Sequence, residues 1–167
     1  MTPRLYRIRE PFGGRLAVSG RPRAAPALRI DATGWRMQGV TMVVSLLEAA
    51  EAEQIGLSGQ KEALEKEGIR FRHLPVPDFD VPGDDECVLA AADEAIVCLG
   101  EGGSVAAHCF AGMGRSPLFI AAILVRQRLS TKEAFGRISE ARGANVPATR
   151  EQWQWLAEFE ARLRCGK

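Results

Sequence analysis

The chain has 167 residues, 46% of them hydrophobic and 26% charged, with a formal net charge of +1 at neutral pH. That length suits one domain, 1–167, with a single core of mixed architecture. No run approaches the eighteen or more apolar residues of a membrane span, and no charged-then-apolar leader is visible at the start, so a cytoplasmic monomer is expected.

The opening segment is basic: arginines stand at 4, 7, 9, 15, 21, 23 and 29 against Glu10 alone. Residues 1–14 read as a less ordered basic segment with a solvated surface. Leu16-Ala17-Val18-Ser19 is a first candidate strand, and Ala27 to Met37 a short helix. The β-branched apolar run Val40 to Leu46 predicts a buried strand. Glu48 to Ile55 and Gly59 to Glu67 read as helices, the second capped by Ser58 and stopped by Gly68. Ile69 to Leu74 is strand-like. A stiff loop follows, Pro75-Val76-Pro77-Asp78-Phe79-Asp80-Val81-Pro82-Gly83, punctuated by three prolines and ended by glycine.

Val88, Leu89, Ala92, Ile96 and Leu99 recur at helical spacing, which predicts a helix from about Asp84 to Leu99 with Asp84 and Asp85 at its start. Gly102-Gly103 then introduces Ser104-Val105-Ala106-Ala107, a short apolar strand. Pro117 suits a first helical turn, and the eight apolar residues Leu118 to Val125 predict a helix buried on nearly all sides. Ser130-Thr131-Lys132-Glu133 is a capping box opening a helix to about Arg142, and Thr149 opens a last one. Strands alternating with helices indicate an α/β fold: a central, parallel-dominated sheet with helices on both faces.

Between the last strand and the buried helix lies His108-Cys109-Phe110-Ala111-Gly112-Met113-Gly114-Arg115-Ser116. A thiol is mostly protonated at neutral pH, so a cysteine nucleophile needs local help. Backbone N–H groups turned inward through a glycine-containing arc form an anion nest, and a helix starting just beyond adds its positive end. Both favour a thiolate at Cys109 and receive a phosphoryl group. Arg115 offers a planar fork that matches two phosphate oxygens. Ser116 can hydrogen-bond the sulfur, and His108 can hold the loop by its backbone. The strand, turn and helix put the sulfur at the carboxyl end of a strand, where ligands bind in open α/β sheets.

These nine residues resemble the His-Cys-x5-Arg-Ser/Thr signature of the protein tyrosine phosphatase superfamily, and the match is full and in order. The likeness spans roughly Leu16 to Leu163, specific at the loop and vague elsewhere. It implies that Cys109 attacks phosphorus, that Phe110, Ala111, Gly112, Met113, Gly114, Arg115 and Ser116 bind the phosphate, and that neither metal nor cofactor is required. A departing oxygen must be protonated by an acid from elsewhere. Atypical dual-specificity members carry a Pro-x-x-Asp loop about thirty residues before the cysteine. The carry-over lands on Asp78, thirty-one residues before Cys109, with Asp80 as the rival.

Gln152 has two readings: the partner of Thr149 in a capping box, or, as in related phosphatases, a glutamine that positions the hydrolytic water. Trp153 and Trp155 read as packing residues. The cysteines Cys87, Cys98, Cys109 and Cys165 lack C-x2-C spacing and have only two histidines beside them, so a zinc site is not expected.

Phe110, Ala111 and Met113 carry no charge, whereas phosphoinositide phosphatases of this superfamily typically have lysines there. Tyrosine-specific members deepen their cleft with a tyrosine-bearing loop, and Tyr6 is the sole tyrosine here. The expectation is a shallow cleft taking phosphotyrosine together with phosphoserine and phosphothreonine on protein partners, with no nucleic acid or membrane. The alternatives are a phosphatase of RNA 5′-phosphates or inositol phosphates, and a phosphate-binding module without turnover.

Overall fold

The computed structural model describes residues 2–9, 11–13 and 15–166. Five strands form one sheet: β1 (Tyr6–Ile8), β2 (Leu16–Ser19), β3 (Met42–Ser45), β4 (Arg70–His73) and β5 (Val105–His108), in the order β1-β2-β5-β3-β4. All neighbours run parallel except β1, which pairs antiparallel with β2. β5 is central, and both flanking strands end level with it: Ser19 and Ser45 each stand opposite His108. The chain therefore leaves three adjacent strands along one edge of the sheet.

The two faces are covered by different helices. Met42, Val44, Val105 and Ala107 point into the larger core with α4 (Asp85–Gly100), α5 (Arg115–Arg126), α6 (Thr131–Arg142) and α7 (Arg150–Cys165). Their alternate neighbours Val43 and Ala106 point the other way, into a smaller core with Trp35 of α1 (Ala27–Met37) and Leu64 of α3 (Gln60–Lys66). Period-two alternation between two buried faces explains why β3 and β5 read as unbroken apolar runs. The short α2 (Ala49–Gln54) buries none of its residues in either core.

α5 is the axis of the larger core. Every residue from Arg115 to Val125 is buried, among α4, α6, α7, β2 and β5. Its first turn thus holds a charged residue inside the protein, which needs a partner to be tolerated. α4 is capped by Asp84, whose Oδ1 accepts from the Glu86 N–H at 2.8 Å. α6 has the reciprocal Ser130–Glu133 box and ends at Gly143 in the left-handed conformation.

Four local expectations need correction. The basic opening segment contains β1, too short for its alternation to stand out from sequence. Gly59, not Ser58, precedes α3, and no side chain caps it. α5 starts at Arg115, two residues ahead of Pro117, because Gly114 ends the loop there. Thr149 does cap α7 through the Gln152 N–H at 3.1 Å, but the Gln152 side chain turns away from the cap.

Candidate active site

The loop between β5 and α5 closes around the Cys109 sulfur. The Gly112 N–H donates to Sγ at 3.3 Å, and the Ser116 hydroxyl lies 3.3 Å from it. Both contacts suit an anionic sulfur better than a neutral one. Gly112 has φ +73°, and a Cβ there would stand 2.8 Å from the Ser19 carbonyl oxygen. Only glycine meets both demands, so the tight packing of this loop on the end of β2 requires it.

His108 sits wholly buried below the loop. Its Nδ1 is 3.2 Å from the Cys109 carbonyl and its Nε2 is 2.5 Å from Gln60 Nε2. One proton placement satisfies both contacts: Nδ1–H donates to the carbonyl, and Nε2 accepts from the Gln60 amide. Burial, chiefly, pushes the ring down to about 4, with the nearby Arg115 charge acting in the same direction. The neutral imidazole is thus a strut under the Cys109 backbone.

Arg115 is only 2% exposed and is held from several sides. Its Nη1 and Nη2 donate to the two Glu51 carboxylate oxygens at 2.7 and 2.9 Å, and Nη1 also donates to the Val76 carbonyl at 3.1 Å. Burial alone would push the guanidinium down, but the Glu51 hydrogen bonds and the charges of Cys109, Glu51 and Asp78 hold it above its ordinary value. In return, the Arg115 hydrogen bonds hold the Glu51 carboxyl below the usual carboxylate range against the opposing effect of burial.

The loop after β4 brings Asp78 and Phe79 to the same cavity. Asp78 Oδ1 lies 3.1 Å from Arg115 Nη2 while the side chain remains 59% exposed. Asp80 behaves differently: its Oδ1 accepts from the Val81 N–H at 2.8 Å, and it does not line the pocket. Gln152 is buried with its Nε2 donating to the Asp80 carbonyl at 3.0 Å. Its Oε1 is buried without a hydrogen-bond partner, and the amide packs beside Gly114. Of its two readings, the amide's direction favours a place at the site over a capping box.

Asp78, Phe79, Cys109, Phe110, Ala111, Met113, Gly114, Arg115, Ala148 and Gln152 line a cavity of about 130 Å³. Gly112 and Ser116 lie behind it, against the sulfur. Cys87 and Cys165 are exposed, while Cys98 is buried beside Thr41. Trp155 stacks on Phe159 inside the core, and Trp153 is half exposed. Among the described residues no group of three or more His, Cys, Asp or Glu could hold a metal ion, and no helix is long and apolar enough to cross a membrane.

Two supports were not foreseen from sequence. Glu51 lies on α2, which begins just past the carboxyl end of β3; an acid in the first turn of such a helix was the available signal. Arg142, at the end of α6, donates from Nε to the Gly112 carbonyl and from Nη2 to the Ala111 carbonyl, both at 3.1 Å. Holding those carbonyls outward leaves the amides free to face the pocket. Its guanidinium also lies 4.0 Å from the Tyr6 ring centroid.

A cysteine and an arginine joined by a tight anion-binding loop, at the carboxyl edge of a parallel sheet, define the class of cysteine-based phosphatases. Residues 18–128 match the family model Tc-R-P, the DSP-PTPase phosphatase of polymorphic toxin systems, and the chain belongs to that family, an atypical dual-specificity branch of the protein tyrosine phosphatase superfamily. Rat cyclin-dependent kinase inhibitor 3 is 25% identical over 135 residues, covering 80% of this chain and 63% of that protein. The chain spans less than two thirds of the length of the first such curated relatives.

Among solved structures, the phosphatase Tk-PTP in its active form is 31% identical with a TM-score of 0.74, covering 92% of this chain and 96% of that one. Kinase associated phosphatase with its catalytic cysteine replaced by serine superposes with a TM-score of 0.87 at 19% identity, covering 98% and 97% of the two chains. The latter likeness is one of fold.

Proposed function

We propose that the chain hydrolyses phosphomonoesters on proteins, phosphotyrosine together with phosphoserine and phosphothreonine, through a cysteinyl-phosphate intermediate and without a metal ion. The observation that carries this reading is the meeting of Cys109 and Arg115, from one loop, with Asp78, from a second loop thirty-one residues earlier than Cys109, at one small cavity.

In the first step Cys109 Sγ attacks phosphorus in line with the leaving oxygen. The P–S bond forms as the P–O bond breaks, and Asp78 supplies the proton to the departing oxygen. Arg115 and the loop amides hold the three equatorial oxygens as charge moves onto them. In the second step the Asp78 carboxylate takes a proton from water, which attacks phosphorus and releases the thiolate. The unpartnered Oε1 of Gln152 is an acceptor suited to orienting that water. The Ser116 hydroxyl, 3.3 Å from Sγ, supports the sulfur as it leaves. Uncharged Phe110, Ala111 and Met113 around the cavity favour a single phosphate on a protein over a polyanionic headgroup.

The test is a panel of phosphopeptides, a phosphoinositide and an RNA 5′-phosphate, with p-nitrophenyl phosphate as a generic substrate, all run with chelator. The expected result is phosphopeptide turnover by the wild type, none by Cys109→Ser, and a lowered rate for Asp78→Ala that is largest with poor leaving groups. Metal-independent turnover surviving in Cys109→Ser would overturn the mechanism. A preference for the lipid or the RNA would overturn the substrate class.

A further inference from the structure

The cavity itself is uncharged apart from its catalytic groups, but a cation stands at its rim on a separate segment. β2 ends at Ser19 beside His108, so the turn that follows leaves the sheet against the Cys109 loop. The Arg21 N–H donates to the Phe110 carbonyl at 3.0 Å. Gly20 lies against the same stretch: an added Cβ would stand in ordinary contact, 3.5 Å from the Phe110 carbonyl oxygen and 3.7 Å from that of Ala111. Two residues further on, the Arg23 N–H donates to Asp31 Oδ2 at 2.7 Å, and its guanidinium engages both oxygens of that fully buried carboxylate. The turn is therefore tied down on both sides of Arg21.

Held in this way, the Arg21 guanidinium lies over the Phe110 ring, 4.7 Å from its centroid. The ring is 46% exposed and forms part of the cavity wall. Arg23, Arg115 and Arg142 each engage a carboxylate or backbone carbonyls. Among the described residues Arg21 has no carboxylate within ion-pair distance, so an unneutralised positive charge stands against Phe110, one of the residues lining the cavity. Among the described residues its guanidinium has an aromatic face as partner, worth about 0.5–1 kcal/mol at an exposed position.

We infer that Arg21 and Phe110 form a specificity subsite for an acidic side chain adjoining the phosphorylated residue of a peptide substrate. The inference rests on the phosphoprotein reading above and names which phosphoproteins are preferred. With the phosphate in the cavity, the peptide passes over Phe110, and a neighbouring Asp or Glu reaches the guanidinium edge that the ring leaves open. Phe79, 69% exposed, also lines the cavity, and Met113 and Ala148 add no charge. Asp78 in the lining is paired with Arg115, so the one guanidinium on Phe110 matches one carboxylate, not a second phosphate-rich group.

The experiment measures kcat/KM on phosphotyrosyl peptides differing only at the residues beside the phosphotyrosine, which are Glu, Gln or Lys. The wild type is expected to prefer Glu over Gln by roughly 3- to 10-fold, expressed in KM and weakened by added salt. Arg21→Gln collapses that ratio to near unity, Arg21→Lys keeps part of it, and Arg21→Glu shifts the preference to the Lys peptide. An acidic preference that persists in Arg21→Gln overturns the subsite, as does a wild type indifferent to the flanking charge. In both cases phosphopeptide turnover itself leaves the phosphoprotein reading standing. If p-nitrophenyl phosphate is cleaved and no phosphopeptide is, that reading falls and takes the subsite with it.

Discussion

Protonating His108 should destabilise the folded protein, with a sign and a size that follow from its burial. The ring is pushed down to about 4 in the folded chain, whereas an unfolded histidine titrates near ~6.5. Between those values the unfolded state binds a proton that the folded state refuses, so stability is complete above about pH 6.5 and is lost as pH falls toward 4. The full shift corresponds to roughly 3 kcal/mol, of which about 2 kcal/mol is lost between about pH 7 and pH 5. Carboxylates contribute little in that upper interval. The chief cause is burial of the ring; in addition, the proton would go on Nε2, against the Gln60 amide that now donates to it. Urea unfolding at the two pH values reads the loss, and NMR titration reads the ring directly. With only two histidines in the chain, a His73→Asn variant assigns the resonances. A His108 ring that titrates near 6.5 in the folded protein would refute the reasoning, and so would a stability that is flat over this interval.

Glu51→Gln keeps the shape of the Arg115 partner but removes its charge; about 2 kcal/mol of stability should go, by chemical denaturation, together with a rise in KM for phosphopeptides. In the wild type the Glu51 contribution is present above the ordinary carboxylate range and disappears as pH drops below it, because its folded value is the lower one. Gly112→Ala forces a Cβ onto the Ser19 carbonyl in a left-handed conformation, and a loop displaced by even 1 Å should cost about 100-fold in kcat. Ser130→Ala, far from the chemistry, should remove about 1 kcal/mol with the α6 cap and lower Tm by a few degrees while kcat is retained.

The parts legible in the sequence were those coded locally. The Cys109 loop, the buried α5 run, the Asp84 and Thr149 caps and the alternation of strands and helices each depend on residues a few positions apart. What escaped was written across distance. Glu51 reaches Arg115 across 64 positions, and Arg142 reaches Gly112 across 30; only the sheet order brings them together. β1 escaped for another reason: in three residues its Arg7 interrupts the apolar pair Tyr6 and Ile8, and the basic surroundings hid the alternation. Gln152 has the spacing of a capping partner, yet its amide is drawn to the Asp80 carbonyl, a choice made by packing against Gly114.

On the proposed mechanism, the contact between Asp78 and Arg115 sets the protein's own carboxylate against the guanidinium that would receive the phosphate. An incoming oxyanion must evict that internal ligand, so its apparent affinity is the intrinsic one diminished by the fraction of molecules in which the carboxylate has let go. Taking the carboxylate away should therefore make the protein hold inorganic phosphate or vanadate more tightly while it turns substrate over more slowly. On that mechanism, release of product would be helped by the same side chain that protonates the leaving oxygen, with Asp78 returning to the arginine as phosphate departs.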